Sequence, residues 1–125
     1  MNINQITGEI VDSALKVHSI LGPGLLEHAY EVCLAHELRR RGFHLATQVP
    51  LPVHYEGVQV ELGYRIDLIV EHLVLVEVKA IAKLLPVHEA QLLSYLKLSG
   101  RRVGLLINFH VLHLKDGIRR LVHKF

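Results

Sequence analysis

The fold of this 125-residue chain is decided by two stretches, YRIDLIV at residues 64–70 and VLVEVK at residues 74–79. Both are rich in Val, Leu and Ile, a composition typical of strands that are packed into a core. Three charged residues, Asp67, Glu77 and Lys79, are set into these strands. Burying a carboxylate or an ammonium group without a partner is costly in free energy, so their presence needs an explanation.

The loop between the two stretches determines whether the three charges can meet. Glu77 and Lys79 are two residues apart, so their side chains point to the same face of a strand. If the loop around Glu71 to Leu73 has an odd number of residues, Asp67 lies directly opposite Glu77 in an antiparallel pair. An even number would place the two carboxylates on opposite faces and would exclude a shared site.

The N-terminal part of the sequence has the periodicity of helices. Apolar residues recur at spacings of three and four from Ile3 to Leu21, which predicts an amphipathic helix that ends at residues 22–24, GPG. A second helix is expected from about Leu25 to Arg41, with Gly42 as its C-cap.

The remainder of the chain predicts a sheet with one further helix. Residues 45–80 are expected to form three or four antiparallel strands. A third helix should run from Pro86 to Gly100, because proline favours the first turn and glycine the C-terminal end. The apolar run from Val103 to Phe109 predicts a strand covered on both faces, followed by a turn at residues 115–117 and a short last strand. The order ααββββαββ therefore predicts a single α/β domain over residues 1–125, with a mixed central sheet flanked by helices.

The composition excludes a disordered chain, because 50% of the residues are hydrophobic and only 21% are charged. So much apolar surface in a small domain predicts at least a homodimer. The net charge of +2 neither requires nor excludes binding to nucleic acid. No signal peptide opens the sequence, no apolar run reaches about 18 residues, and the single cysteine, Cys33, cannot form an internal disulfide. We expect a cytoplasmic protein with no membrane partner.

The chemistry of Asp67, Glu77 and Lys79 suits the cleavage of phosphodiester bonds. Carboxylate oxygens are the ligands of hard cations such as Mg²⁺ and Mn²⁺. Such a cation acidifies a bound water and neutralises charge on the phosphate, and a lysine beside it can orient that water or stabilise the transition state. A buried structural pair between an acid and Lys79 explains the same residues without catalysis.

Two further motifs accompany the strand motif. Residues 24–30 have the form G-x-x-E-x-x-Y, and residues 91–95 have the form Q-x-x-x-Y, which places Gln91 and Tyr95 one helical turn apart. In this order the three motifs resemble the GxxExxY family of the PD-(D/E)XK nuclease superfamily, and the resemblance extends from Ile3 to Arg120. It implies a restriction-endonuclease-like core and a nucleic acid substrate. Ile66 stands where the superfamily's name has proline.

The resemblance also implies roles for individual residues. Asp67 and Glu77 correspond to metal ligands, with the main-chain carbonyl of Val78 as a third, and Glu27 to a helical glutamate that approaches the metal directly or through water. Lys79 corresponds to the catalytic lysine. The remaining pair corresponds to a motif that lies beside the site and contacts the substrate strand: Gln91 and Tyr95.

Each supporting residue also has a purely structural interpretation. Glu27 could favour the positive end of its helix, Gln91 and Tyr95 could be a solvated pair, and Tyr30 is the kind of aromatic that fills a core. For the whole protein, the alternative is a nuclease fold used as a binding or self-assembling module without turnover. A hydrolase of another substrate with the same metal centre is a third interpretation.

Overall fold

The computed structural model describes residues 1–124, in which three helices and seven strands follow one another in the order α1, α2, β1–β5, α3, β6, β7. A 3-10 turn at Leu114–Gly117 precedes the last strand. The helices are α1 (Ile3–Leu21), α2 (Glu27–Arg40) and α3 (Pro86–Ser99). The strands are β1 (Leu45–Pro50), β2 (Val53–Tyr55), β3 (Val58–Val60), β4 (Arg65–Val70), β5 (Val74–Lys79), β6 (Val103–Asn108) and β7 (Ile118–Val122).

Five of the strands form one mixed sheet in the order β1-β4-β5-β6-β7. Only β5 and β6 are parallel, and α3 forms the crossover between them; the other neighbours are antiparallel. β6 is buried at every position, including the polar Asn108 at its end, as its nearly continuous apolar sequence predicted. The mixed α/β architecture expected of a restriction-endonuclease-like core is confirmed.

Residues 45–80 contain five strands, where the sequence suggested three or four, because a small hairpin leaves the main sheet. The chain departs at Pro52, which has no N–H to donate to a ladder. β2 and β3 then pair with each other around Glu56 and Gly57, whose φ angles of 47° and 79° are typical of a two-residue hairpin turn. This hairpin is a separate two-stranded sheet beside the ends of β1 and β4.

Helices cover both faces of the sheet. α1 and α2 pack on the face that carries Leu68, Val76 and Val78, whereas Leu92 and Leu96 of α3 pack on the opposite face. The third helix begins at Pro86, as predicted, and ends at Gly100, which has the left-handed φ of 69° that glycine adopts without strain. No helix within residues 1–124 is both long and apolar enough to cross a membrane.

Tyr30 is a core residue that shapes the entrance to α2. Its ring is fully buried and stacks on Phe109 at a centroid distance of 4.6 Å. Its hydroxyl donates to the carbonyl of Gly22 at 2.5 Å and accepts from the backbone N–H of Leu25 at 3.0 Å. Leu25 therefore remains in the connection, and α2 begins at Glu27. The tyrosine of the G-x-x-E-x-x-Y motif holds the loop that presents Glu27.

Candidate active site

The two strands that carry Asp67 and Glu77 are joined by three residues, Glu71 to Leu73. Glu71 and His72 have left-handed φ angles of 53° and 60°, which allow the chain to reverse direction within these three residues. The number of residues in the loop is therefore odd. In the ladder between β4 and β5, Leu68 pairs with Val76. Beyond that pair, the side chains of Asp67 and Glu77 each accept a hydrogen bond from the backbone of the other strand, so the two carboxylates lie beside each other.

Hydrogen bonds across the strand pair hold the two carboxylates. The backbone N–H of Val78 donates to Asp67 Oδ2 at 2.9 Å, and the backbone N–H of Asp67 donates to Glu77 Oε1 at 3.4 Å. In an antiparallel pair, the N–H and C=O of one residue point to the same neighbouring strand. The carbonyl of Val78 therefore points toward β4, on the side from which Asp67 accepts.

The electrostatic character of the site is set by Glu77, which is only 4% exposed. Burial, and after it the negative charge of Asp67, raise the pKa of Glu77 from 4.5 to about 9, against a smaller opposing effect of Lys79. The carboxyl group is therefore held in surroundings that disfavour its charge. A bound divalent cation would favour the ionised form of both acids.

Lys79 lies at the end of β5 on the same face as Glu77. Its ammonium group donates to Gln91 Oε1 at 3.4 Å, and Gln91 Nε2 in turn donates to the Tyr95 hydroxyl at 3.3 Å. Burial, followed by the charge of Glu77, raises the pKa of Tyr95. Within residues 1–124 no salt bridge involves Lys79. Strand β5 and helix α3 thus bring Lys79, Gln91 and Tyr95 together beside the carboxylate pair.

Glu27 reaches the same region from the opposite layer, at the first turn of α2. Partial burial raises its pKa; the positive charge of Lys79 opposes this shift, and the charge of Asp67 adds to it. The backbone N–H of Ala80, just past β5, also stabilises its ionised form. Glu27 therefore lies within the electrostatic field of the site, at the exposed side of it.

The acidic side chains near this site do not form one three-residue cluster in the described part of the chain. Across residues 1–124, no three His, Cys, Asp or Glu side chains are grouped closely enough to hold a metal ion. Glu27 is therefore not drawn into one cluster with Asp67 and Glu77. The donors that remain are two carboxylates and the Val78 carbonyl, an all-oxygen set that fits Mg²⁺ or Mn²⁺ with water in the other positions.

The match to known families agrees with this geometry. A family model described as PD-(D/E)XK nuclease superfamily matches residues 4–121. The chain belongs to the PD-(D/E)XK nuclease superfamily. Nucleases of this superfamily generally use divalent metal ions and act on nucleic acid. No match was found among curated proteins or among solved structures.

The structure adds one polar residue to this PD-(D/E)XK site that the sequence did not suggest. Gln48 of β1 faces Asp67, and its side-chain amide donates to Asp67 Oδ1 at 3.3 Å and to Glu31 Oε1 at 2.5 Å. Glu31 is buried one turn after Glu27, so it provides a fixed acceptor behind the site. Gln48 has a φ of 50°, a conformation that costs energy for a residue with a side chain. No signal in the sequence indicates that conformation.

Proposed function

We propose that this protein is a GxxExxY-type PD-(D/E)XK nuclease, which hydrolyses phosphodiester bonds in nucleic acid with Mg²⁺ or Mn²⁺. The contacts between β4 and β5 support the proposal, because hydrogen bonds between the two strands hold the carboxylates of Asp67 and Glu77 side by side, and Lys79 follows two residues later on the face of Glu77. The three groups that a metal-assisted hydrolysis needs, two anionic oxygen donors and one cation, are thereby supplied by adjacent strands.

The carboxylates of Asp67 and Glu77, with the Val78 carbonyl, would hold the cation. When bound, the metal supplies an acidified water and charge neutralisation at the phosphate. The chain's own contribution is to fix these oxygens: the N–H of Val78 holds Asp67 Oδ2, and Gln48 holds Asp67 Oδ1. Because both oxygens of Asp67 are held by hydrogen bonds, little reorganisation accompanies binding.

Lys79 acts on the reacting groups in this proposal. Gln91 holds its ammonium group, and Tyr95 holds Gln91, so the position of the charge is set by α3. A cation at this place can orient the attacking water and stabilise negative charge in the transition state. Glu27, at the exposed side, is suited to accept a hydrogen bond from water that enters the site. Gln91 and Tyr95 also border the path of the substrate strand.

The alternative of a binding module predicts a different environment for Lys79. A lysine that only neutralises buried acids should form an ion pair with them, since unpaired buried charges are costly. In the described residues Lys79 contacts the neutral amide of Gln91 instead. A cation kept available beside two acids is what a catalytic role requires, and this favours the enzyme.

Incubation with nucleic acid tests the proposal directly. Labelled single- and double-stranded DNA and RNA should be cut in Mg²⁺ or Mn²⁺ and left intact in EDTA. The Asp67→Asn variant should cut at least about 10²-fold more slowly, because it removes one anionic ligand. As a control, Asp116→Asn changes an exposed aspartate in the 3-10 turn before β7, two strands away from β5, and should leave cleavage unchanged. Binding of nucleic acid without cleavage in either metal would identify a binding module instead.

We also propose that the protein forms a homodimer through the outer surface of α1 and α2. Ile20 and Val32, which are 71% and 51% exposed, border a groove of about 330 Å³ between these helices, and Leu26, the N-cap residue of α2, is 83% exposed. Apolar side chains grouped in this way usually mark a contact surface.

Light scattering measures this assembly. The wild type should have about twice the 14.2 kDa mass of the chain, and Ile20→Asp should have the mass of a monomer. Val87→Asp, on the opposite layer and 63% exposed in the wild type, is the matched control and should remain dimeric. A monomer mass for the wild type at micromolar concentrations would contradict the proposal.

A further inference from the structure

Tyr64 is an aromatic residue beside the site that the proposed function has not used. It immediately precedes β4 and is 44% exposed. Its ring contacts that of Tyr95, with centroids 6.1 Å apart and planes inclined by 60°. Tyr95 in turn bonds to Gln91 and lies near Glu77. A line of contacts therefore leads from the carboxylate pair through Tyr95 to an aromatic ring that is open to solvent.

Tyr64 also forms one wall of a pocket at the point where the small hairpin leaves the main sheet. The pocket has a volume of about 290 Å³, and Pro50, Pro52 and Leu62 supply apolar surface around it. Small-molecule sites have volumes of about 300–1,000 Å³, so this pocket is just below the lower limit of that range, a size that suits a single flat ring system. Its proline walls have fixed φ angles and need little ordering when a ligand enters.

The charges at the mouth of the pocket suit a nucleotide. Arg65 lines the pocket and is two residues before Asp67 in β4, and both side chains contact Gln48. Within residues 1–124, its guanidinium group bonds to the neutral carbonyl of Gln48, at 3.4 Å, and to no other group, so it keeps donors for a phosphate. Glu61 also lines the pocket, and Gln59 Nε2 donates to its Oε1 at 3.3 Å. The positive charge therefore lies toward the site, and the hydrogen-bonded acid lies toward the hairpin.

We propose that Tyr64 and this pocket form a nucleobase-stacking subsite, so that the substrate is a single strand, or an unpaired end, with a free base near the scissile phosphate. The inference rests on the proposed function, since the scissile phosphate is placed at Asp67 and Glu77. In a duplex, both faces of each base are stacked and its edge is paired. A ring such as Tyr64 can stack only on a base that has been released from those contacts.

Anisotropy of labelled 12-nucleotide strands, measured with Ca²⁺ as a hard cation in place of Mg²⁺, tests the subsite by its response to a missing base. Tyr64→Ala should weaken binding of single-stranded DNA or RNA about tenfold, and Tyr64→Phe, which keeps the ring, should not. Tyr55→Ala is the matched control, because Tyr55, in β2 of the nearby hairpin, is a more exposed tyrosine, 66% exposed, and does not line the pocket.

Strands that lack one base, at each position in turn, then complete the test. Removal of the base at one position should weaken binding to the wild type about tenfold and leave the affinity of Tyr64→Ala almost unchanged. The reason is that the base and the ring contribute through the same contact. Equal losses in both proteins at every position would overturn the subsite, as would a wild type that binds duplexes but no single strand. Cleavage assays separate the two proposals. Metal-dependent cleavage by a protein in which the base and Tyr64 act independently would contradict the subsite alone. A base effect that depends on Tyr64, in a protein that does not cleave with either metal, would contradict the nuclease alone.

Discussion

Lys79→Ala is expected to lower the rate of Mn²⁺-dependent cleavage by about 10²–10⁴-fold, while its melting temperature in EDTA stays close to that of the wild type. The large loss follows from the position of the ammonium group beside the carboxylates of Asp67 and Glu77. The small effect on stability follows from its only described hydrogen bond, to Gln91 at 3.4 Å. Metal affinity should be unchanged or higher, because a neighbouring positive charge has been removed.

Timed cleavage, calorimetric titration with Mn²⁺ and thermal melts in EDTA measure these three quantities on the same preparations. Lys83→Ala is the matched control, since Lys83 is an exposed lysine four residues further along the chain. Its rate and its melting temperature should equal those of the wild type. The opposite result would be a Lys79→Ala variant that is unfolded in EDTA, together with a wild type that does not cleave. That result would indicate a structural lysine, whose loss leaves uncompensated charge costing about 3–5 kcal/mol.

The sequence could identify the charged residues in β4 and β5 but could not determine that they meet. Their types and spacing are visible in the chain, because charges in apolar strands are conspicuous. Their convergence depends on a loop of three residues, in which Glu71 and His72 adopt φ angles of 53° and 60°. Neither is a glycine or an asparagine, the residues that usually indicate such a turn. The sequence therefore left the length of this loop open.

Helices were easier to predict than the small hairpin. Periodicity and end signals are local properties of the sequence, so α3 was predicted from Pro86 and Gly100. β2 and β3 have only three residues each, which is too short for an alternating pattern to stand out. Their departure from the sheet depends on how Pro52 and the surrounding strands are arranged in three dimensions. The pocket beside Tyr64 could not be foreseen for the same reason.

Sequence motifs predicted the contacts of some supporting residues of the site but not of others. Gln91 and Tyr95 share a face because they are one turn apart, so their contact was predictable. Gln48 was not predictable, because its contacts with Glu31 and Asp67 join three separate elements and need a left-handed φ in β1. Local spacing determines contacts within one helix or strand pair. Contacts between layers depend on packing that no short motif contains.

Glu77→Gln is expected to lose Mn²⁺ binding and at the same time to melt at a higher temperature than the wild type in EDTA. The folded protein raises the pKa of Glu77 from 4.5 to about 9, because the group is buried and lies beside Asp67. Below pH 4.5 Glu77 is neutral in both the folded and the unfolded state, so its ionisation does not lower the stability of the protein. Between pH 4.5 and about 9 the folded state binds more protons than the unfolded state, so wild-type stability falls as the pH rises.

Glutamine cannot ionise, and its amide can donate to the Asp67 carboxylate while its oxygen still accepts from the Asp67 N–H. The advantage of the variant should therefore be small near pH 5 and grow toward pH 9, reaching at least about 4 °C in melting temperature by pH 8. Glu56→Gln, which changes an exposed glutamate of the hairpin turn, should follow the wild-type curve throughout. Thermal melts in EDTA across this pH range measure the difference in melting temperature. A difference between Glu77→Gln and the wild type that does not change with pH would contradict the prediction. A gain in stability with a loss of metal binding would show that the fold accepts a strained acid at this position for the sake of the cation.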